Sequence, residues 1–245
     1  MKSFVLALQF FTIVTLRSDL NADPGDLARS RAWWGLVGAL LGLALAALAW
    51  ALGHLLPPLA LAGPLVLFWA ACTRFLHLDG VADTADALVY PAPRERSLAI
   101  MKDTRIGAFG VTALACVLIT KFGLLASFAP GRLWPALIAA PALGRALAAS
   151  LSVLLPPATP DKGLGAATAV GSTGVAVMLV SIGTALVVAG LACGLSGLLA
   201  GLLVLVLGLI LGSWFKRRLG GVTGDCLGAS IELAECLVLA VLLAS

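Results

Sequence analysis

Apolar and polar positions follow one another along this chain in blocks, not residue by residue. Runs of Leu, Ala, Val and Gly fill 32–56, 58–76, 106–129, 131–155, 172–191, 194–214 and 225–244. Each is about 20 residues long, enough to carry a helix across roughly 30 Å of hydrocarbon. Pro57-Pro58, Pro130-Gly131, Pro156-Pro157 and Gly220-Gly221 punctuate them, as helix breakers do. No stretch alternates with the two-residue period of a lipid-facing strand. The backbone groups must then be satisfied inside helices. The pattern therefore predicts an all-α, polytopic membrane helix bundle of about seven spans. Residues 3–16, after Lys2, form a shorter apolar stretch with no small-x-small cleavage site before Arg17. It is too short to cross comfortably and predicts an N-terminal interfacial or re-entrant helix kept in the mature protein. Without a fixed-period repeat, a low-complexity tail or a soluble linker, residues 1–245 read as a single integral membrane domain.

Composition agrees: 61% of the 245 residues are hydrophobic and 11% charged, with a mean hydropathy of +1.08. The five cysteines lie in apolar stretches without C-x-x-C spacing, which argues against a disulfide framework or a thiolate metal site. Nucleic-acid binding lacks a basic helix or a basic, aromatic groove.

Charge distribution orients the bundle. Of 16 Lys and Arg, 12 fall in 17–31, 74–105, 156–171 and 215–224; among the alternate turns only Arg132 is basic. The positive-inside rule makes the four charged segments cytoplasmic and puts the C-terminus across the membrane. For a bacterial chain this means the inner membrane. The acids gather on that same side, where nucleotides and Mg²⁺ are available.

Two acidic stretches stand out. HLDGVADTADAL (77–88) carries Asp79, Asp83 and Asp86, whose helical offsets fall within roughly 60° of one another. Three carboxylates on one face repel unless something positive sits among them. Oxygen-only donors favour Mg²⁺, Mn²⁺ or Ca²⁺ over zinc. A solvated face balanced by nearby Arg would share this pattern. GGVTGDCLGASIELAE (220–235) places Asp225, Glu232 and Glu235 within roughly 80° of a helix, the last two inside an apolar span where acids are costly unless paired or functional. Gly220, Gly221 and Gly224 suit a turn whose N–H groups cradle a phosphate. Arg94, Arg96, Lys102 and Arg105 are candidates to grip a diphosphate, although a cytoplasmic helix obeying the charge rule looks similar. Lys121 and Arg145 lie mid-span and either pair with an acid or reach the same cavity. His77, beside the acids, is a candidate phosphate contact or proton carrier. With no G-x-S-x-G, H-E-x-x-H or Walker sequence, the residues describe Mg²⁺-assisted phosphoryl-type transfer, without naming its substrate.

At these residues the chain resembles the cobalamin synthase family, adenosylcobinamide-GDP ribazoletransferases. The likeness runs through LQFFT (8–12), HLDGVADTADAL, IMKDTRIGAFG (100–110), Gly163-Leu164-Gly165 and GGVTGDCLGASIELAE. Relatives commonly follow the first block with Arg-x-Pro; here Ile13, Val14 and Thr15 follow. The resemblance implies Mg²⁺-dependent attack of the ribose hydroxyl of α-ribazole, or of its 5′-phosphate, on adenosylcobinamide-GDP, releasing GMP. It implies metal on Asp79, Asp83 and Asp86, with Asp225 and Glu232 completing the site. One carboxylate among the catalytic candidates Asp79, Asp83 and Asp225 would be left to accept the proton. A homo-oligomer remains compatible. A CDP-alcohol phosphotransferase would need Ala-Arg two residues after Asp79-Gly80, where Asp83-Thr84 stands. A proton- or cation-coupled transporter using Asp225, Glu232, Glu235, Lys121 and Arg145 is the rival from another class.

Overall fold

The computed structural model describes residues 1–17, 22–159 and 173–245. Asp19, Asp161, Lys162 and the Gly163–Gly165 motif lie outside these residues. Ten α-helices and one 3₁₀ turn are described, without a named strand, so the all-α membrane bundle stands. The long apolar helices are α3 (Trp34–Gly53), α7 (Ala108–Ser127), α8 (Pro130–Leu154), α9 (Thr173–Leu219) and α10 (Gly224–Ala244). Shorter ones are α1 (Lys2–Phe11), α2 (Pro24–Ser30), α4 (Pro58–Cys72), α5 (Leu76–Leu88) and α6 (Arg94–Ile100).

Two of the expected spans run through one helical element. Inside α9, Gly194 has φ 59° and ψ −138°, a conformation essentially reserved for glycine. The chain doubles back there: Gly201 lies against Leu186 and Gly190 against Leu198. Spans 172–191 and 194–214 are thus the arms of a hairpin.

The second expected span is corrected. Helix α4 has 15 residues, about 22 Å, short of a full crossing. It ends at Cys72, not at residue 76, and the axis bends by 86° into α5. Arg74 and Phe75 turn the corner with φ of 55° and 60°, strained values for non-glycine residues. The end of α1 braces the corner, as Ile13 N–H donates to Cys72 O at 2.8 Å and Arg74 donates to Thr12 O at 3.1 Å. Helix α5, expected from the spacing of its acids, packs along α10 and α7.

Helix α1 lies against the start of α2, where Lys2 pairs with Asp26 at 2.6 Å. Phe11 and Ala7 are buried against Trp34, Val37, Ala148 and Ile231. The charged end of the bundle is stitched together by backbone contacts. Arg94 donates to Leu219 O and Ala158 O, both at 2.7 Å, and Pro157 pairs with Val222. At the opposite end, Arg132 donates to Leu242 O at 2.8 Å. Helix α8 forms the centre, with Ala139, Ala140, Ala142, Ala148 and Ala149 fully buried; small side chains let helices approach where lipid supplies no hydrophobic drive.

Candidate active site

The acids of α5 and of α10 come together because two glycines remove the side chains between them. A Cβ on Gly80 would lie 2.6 Å from Asp225 O, and one on Gly228 would lie 3.2 Å from the His77 Cα. The first turns of α5 and α10 therefore touch backbone to backbone. Asp79 and Asp225 flank this contact and line one cavity, and the negative charges of Asp79, Asp225 and Asp86 all bear on Asp83. No ion pair neutralises Asp79, Asp83 or Asp225 among the described residues. Thr223, which the sequence reading passed over, caps α10: its hydroxyl accepts from Cys226 N–H at 3.2 Å and lies 3.4 Å from the Asp225 carboxylate.

As the side chains stand, no three His, Cys, Asp or Glu among the described residues converge as a finished metal cage. The donor chemistry nonetheless fits a hard divalent ion. Asp79, Asp83 and Asp225 offer oxygen only, lie at a charged helix junction and pair with no basic side chain among the described residues. Such sites characteristically keep positions open for water and substrate phosphate.

Two expected metal ligands are spent elsewhere. Asp86 accepts from Gly107 N–H at 2.7 Å and from Gly110 N–H at 2.9 Å. One carboxylate thereby satisfies two orphan donors at the start of α7 and complements its dipole. Any Cβ at Gly107 or Gly110 would collide with it, which accounts for the spacing of IGAFG. Glu232 pairs with Lys121 at 2.5 Å. Lys121 also reaches Glu235 at 2.7 Å, Glu235 accepts from Arg145 at 2.8 Å, and Trp69 donates to it at 3.2 Å. These two acids and two bases sum to zero and are all buried. Lys121 and Arg145, expected to hold substrate, thus counter the acids of α10, and four groups of the suspected transport pathway are locked to one another.

The basic candidates also divide. Arg94 is a latch on the α9–α10 turn, where Gly220 has φ 72° and Gly221 packs against Pro156 O; those two glycines shape the turn. Arg105 forks onto Asp103 at 2.7 Å in the open, and holds that carboxyl down at about 2. Arg96 and Lys102 are exposed without a described ion pair, available to an anion. Gly224 has open space around it and lines a cavity of about 200 Å³ with His77, Asp79, Thr223 and Asp225. Phe10, Phe11 and Trp34 line the same cavity. The motif LQFFT hinted at Phe10 and Phe11 and nothing hinted at Trp34, since aromatics in apolar helices otherwise signal core.

The family model for cobalamin-5-phosphate synthase matches residues 3–243. The chain belongs to that family. Adenosylcobinamide-GDP ribazoletransferase of Pseudomonas paraeruginosa is 43% identical over 99% of this chain and 98% of its own length. Its namesakes in Geotalea daltonii and Herpetosiphon aurantiacus are 35% and 42% identical, over 100% and 99% of this chain and over 98% and 96% of their own lengths. No solved structure matches the chain.

Proposed function

We propose that this chain transfers the cobinamide-phosphate moiety of adenosylcobinamide-GDP to α-ribazole, or to its 5′-phosphate, releasing GMP. The family supports the reaction, and the unneutralised junction of Asp79, Asp83 and Asp225 carries the reading of its site. Two of Asp79, Asp83 and Asp225 would hold Mg²⁺, leaving the third free, and the ion when bound offsets the charge of the diphosphate and of the departing GMP. The backbone contact between Gly80 and Asp225 keeps these carboxylates together before substrate arrives, so little reorganisation remains for the reaction itself. Arg96 and Lys102, exposed at the same end, draw the anionic donor in from solution. An aspartate not engaged by metal accepts the ribose hydroxyl proton as the new ester bond forms. The charged end faces the cytoplasm of a bacterial inner membrane, in keeping with the distribution of Lys and Arg.

The experiment is a reconstitution. The full chain in liposomes, given adenosylcobinamide-GDP, α-ribazole and Mg²⁺, is expected to release GMP, to stop when the metal is chelated, and to resume when it is restored. Asp79→Asn is expected to abolish turnover. GMP release that ignores chelation would remove the metal from the reading, and normal turnover by Asp79→Asn would remove that residue from the site.

A further inference from the structure

Among the described residues, Arg74 and Phe75 are the non-glycine residues with positive φ, at 55° and 60°, and they stand directly between α4 and the helix that carries Asp79. Backbone outliers of this kind persist only where the surroundings over-determine them, and they cluster where geometry serves function. The corner begins as a regular helix stop. Phe75 N–H donates to Ala70 O and Arg74 N–H to Ala71 O, both at 2.9 Å, the pair of bonds that defines a Schellman motif. That motif favours glycine at the position Arg74 occupies. Arg74 instead takes the left-handed conformation with a full side chain, and that side chain reaches away from the helix it ends. Its Nη2 donates to Thr12 O at 3.1 Å and to Gln9 O at 3.5 Å, at the end of α1. Ile13 N–H adds a bond in the other direction, to Cys72 O at 2.8 Å. Beyond the corner, Asp79 N–H donates to Phe75 O at 3.0 Å, so the first turn of α5 hangs from the corner itself.

We infer that Arg74 is a positioning residue for the proposed reaction: by tying the α4–α5 corner to the end of α1, it fixes where α5 begins and with it the carboxylate of Asp79. This deepens the site proposed above and rests on it. A glycine would turn the corner with less strain, so the backbone alone gives no reason for an arginine. Capture of an anion gives none either, because Nη2 is turned to main-chain carbonyls of α1. A helix held by packing alone can slide along its neighbours in small steps. The close approach of Gly80 to Asp225 O sets how near α5 lies to α10, and the tether at the corner opposes sliding between them.

Arg74→Gly separates the two roles of the position, since it suits the backbone and deletes the tether. The full chain in detergent is expected to melt within a few degrees of wild type, with kcat about tenfold lower, KM for adenosylcobinamide-GDP and for α-ribazole unchanged, and the Mg²⁺ concentration for half-maximal rate raised. Arg74→Lys, which keeps a cationic donor, is expected to recover part of kcat. Wild-type kcat in Arg74→Gly, a loss of kcat matched by a collapse of Tm, or no recovery in Arg74→Lys would overturn the assignment. Amide exchange across 76–88 reads the tether apart from turnover and is expected to quicken about tenfold in Arg74→Gly, the size of one lost hydrogen bond. Should the wild-type chain release no GMP, the reaction falls; the tether then stands if exchange quickens in Arg74→Gly, and falls if exchange is unchanged.

Discussion

Replacing Gly80 by alanine tests whether the α5–α10 contact sets the geometry of the acids. The added Cβ would lie 2.6 Å from Asp225 O, 3.1 Å from its Cα and 3.2 Å from its carbonyl carbon. All three neighbours are backbone, so no side chain can swing aside. Ordinary contact begins near 3.4 Å, and the helices must therefore part or slide by about 0.8 Å, because close-packed interiors absorb little of such a change. Overpacking of this kind costs about 1–3 kcal/mol, which a bundle with so large a buried core survives. The carboxylates on either side of the contact are displaced by a similar distance, and a misplacement near 1 Å is worth roughly 100-fold in rate. The expected outcome is a folded protein in detergent, its Tm lowered by a few degrees, whose kcat/KM falls about 100-fold and whose apparent Mg²⁺ requirement rises. Ala82→Gly on the same helix serves as a control for helix propensity. A Gly80→Ala protein with the wild-type kcat/KM and metal requirement would refute the idea that this junction positions the acids.

Asp86→Ala is expected to destabilise the fold by about 1–2 kcal/mol through loss of the α7 cap while leaving metal affinity near wild type, whereas Asp83→Asn should weaken metal binding with little loss of stability; isothermal titration alongside thermal melts separates the two. Lys121→Met should cost about 3–5 kcal/mol by stranding buried Glu232 and Glu235, and adding Glu232→Gln should recover part of the loss in a double-mutant cycle; additive effects would mean that the pair does not interact. The Asp103 carboxyl, held at about 2 by Arg105, is lowered relative to the unfolded chain. Its pairing is therefore complete above the ordinary carboxylate pKa near 4 and disappears as pH falls through about 2. Titrating the Asp103 carboxyl resonance in Arg105→Ala should return it to the ordinary range.

Much of this was legible in the sequence because the bilayer is so restrictive a solvent. The apolar runs, their breakers and the lopsided distribution of Lys and Arg sufficed to define the bundle and its charged end, including both arms of α9, since a span needs only length and hydrophobicity to be recognised. The acids were legible as acids for the same reason, each being expensive near lipid. Their partners were not. Whether a carboxylate meets a metal, a lysine or two backbone N–H groups depends on which helix faces it across the fold. Glu232 and Asp86 carried the same signal as Asp79 and Asp225, yet the first is held by Lys121 and the second by the start of α7. Phe10, Phe11 and Trp34 look like core until the fold places them beside Asp79 and Asp225, and Gly80 looks like any helical glycine until α10 lies against it. The sequence by itself determined that this chain folds as a bundle of apolar helices and which end gathers the charge, because those follow from the cost of exposing polar groups to hydrocarbon. Only the tertiary structure decided which acids remain unneutralised and share a cavity, because pairing is settled by contacts between segments as distant as 80 and 225.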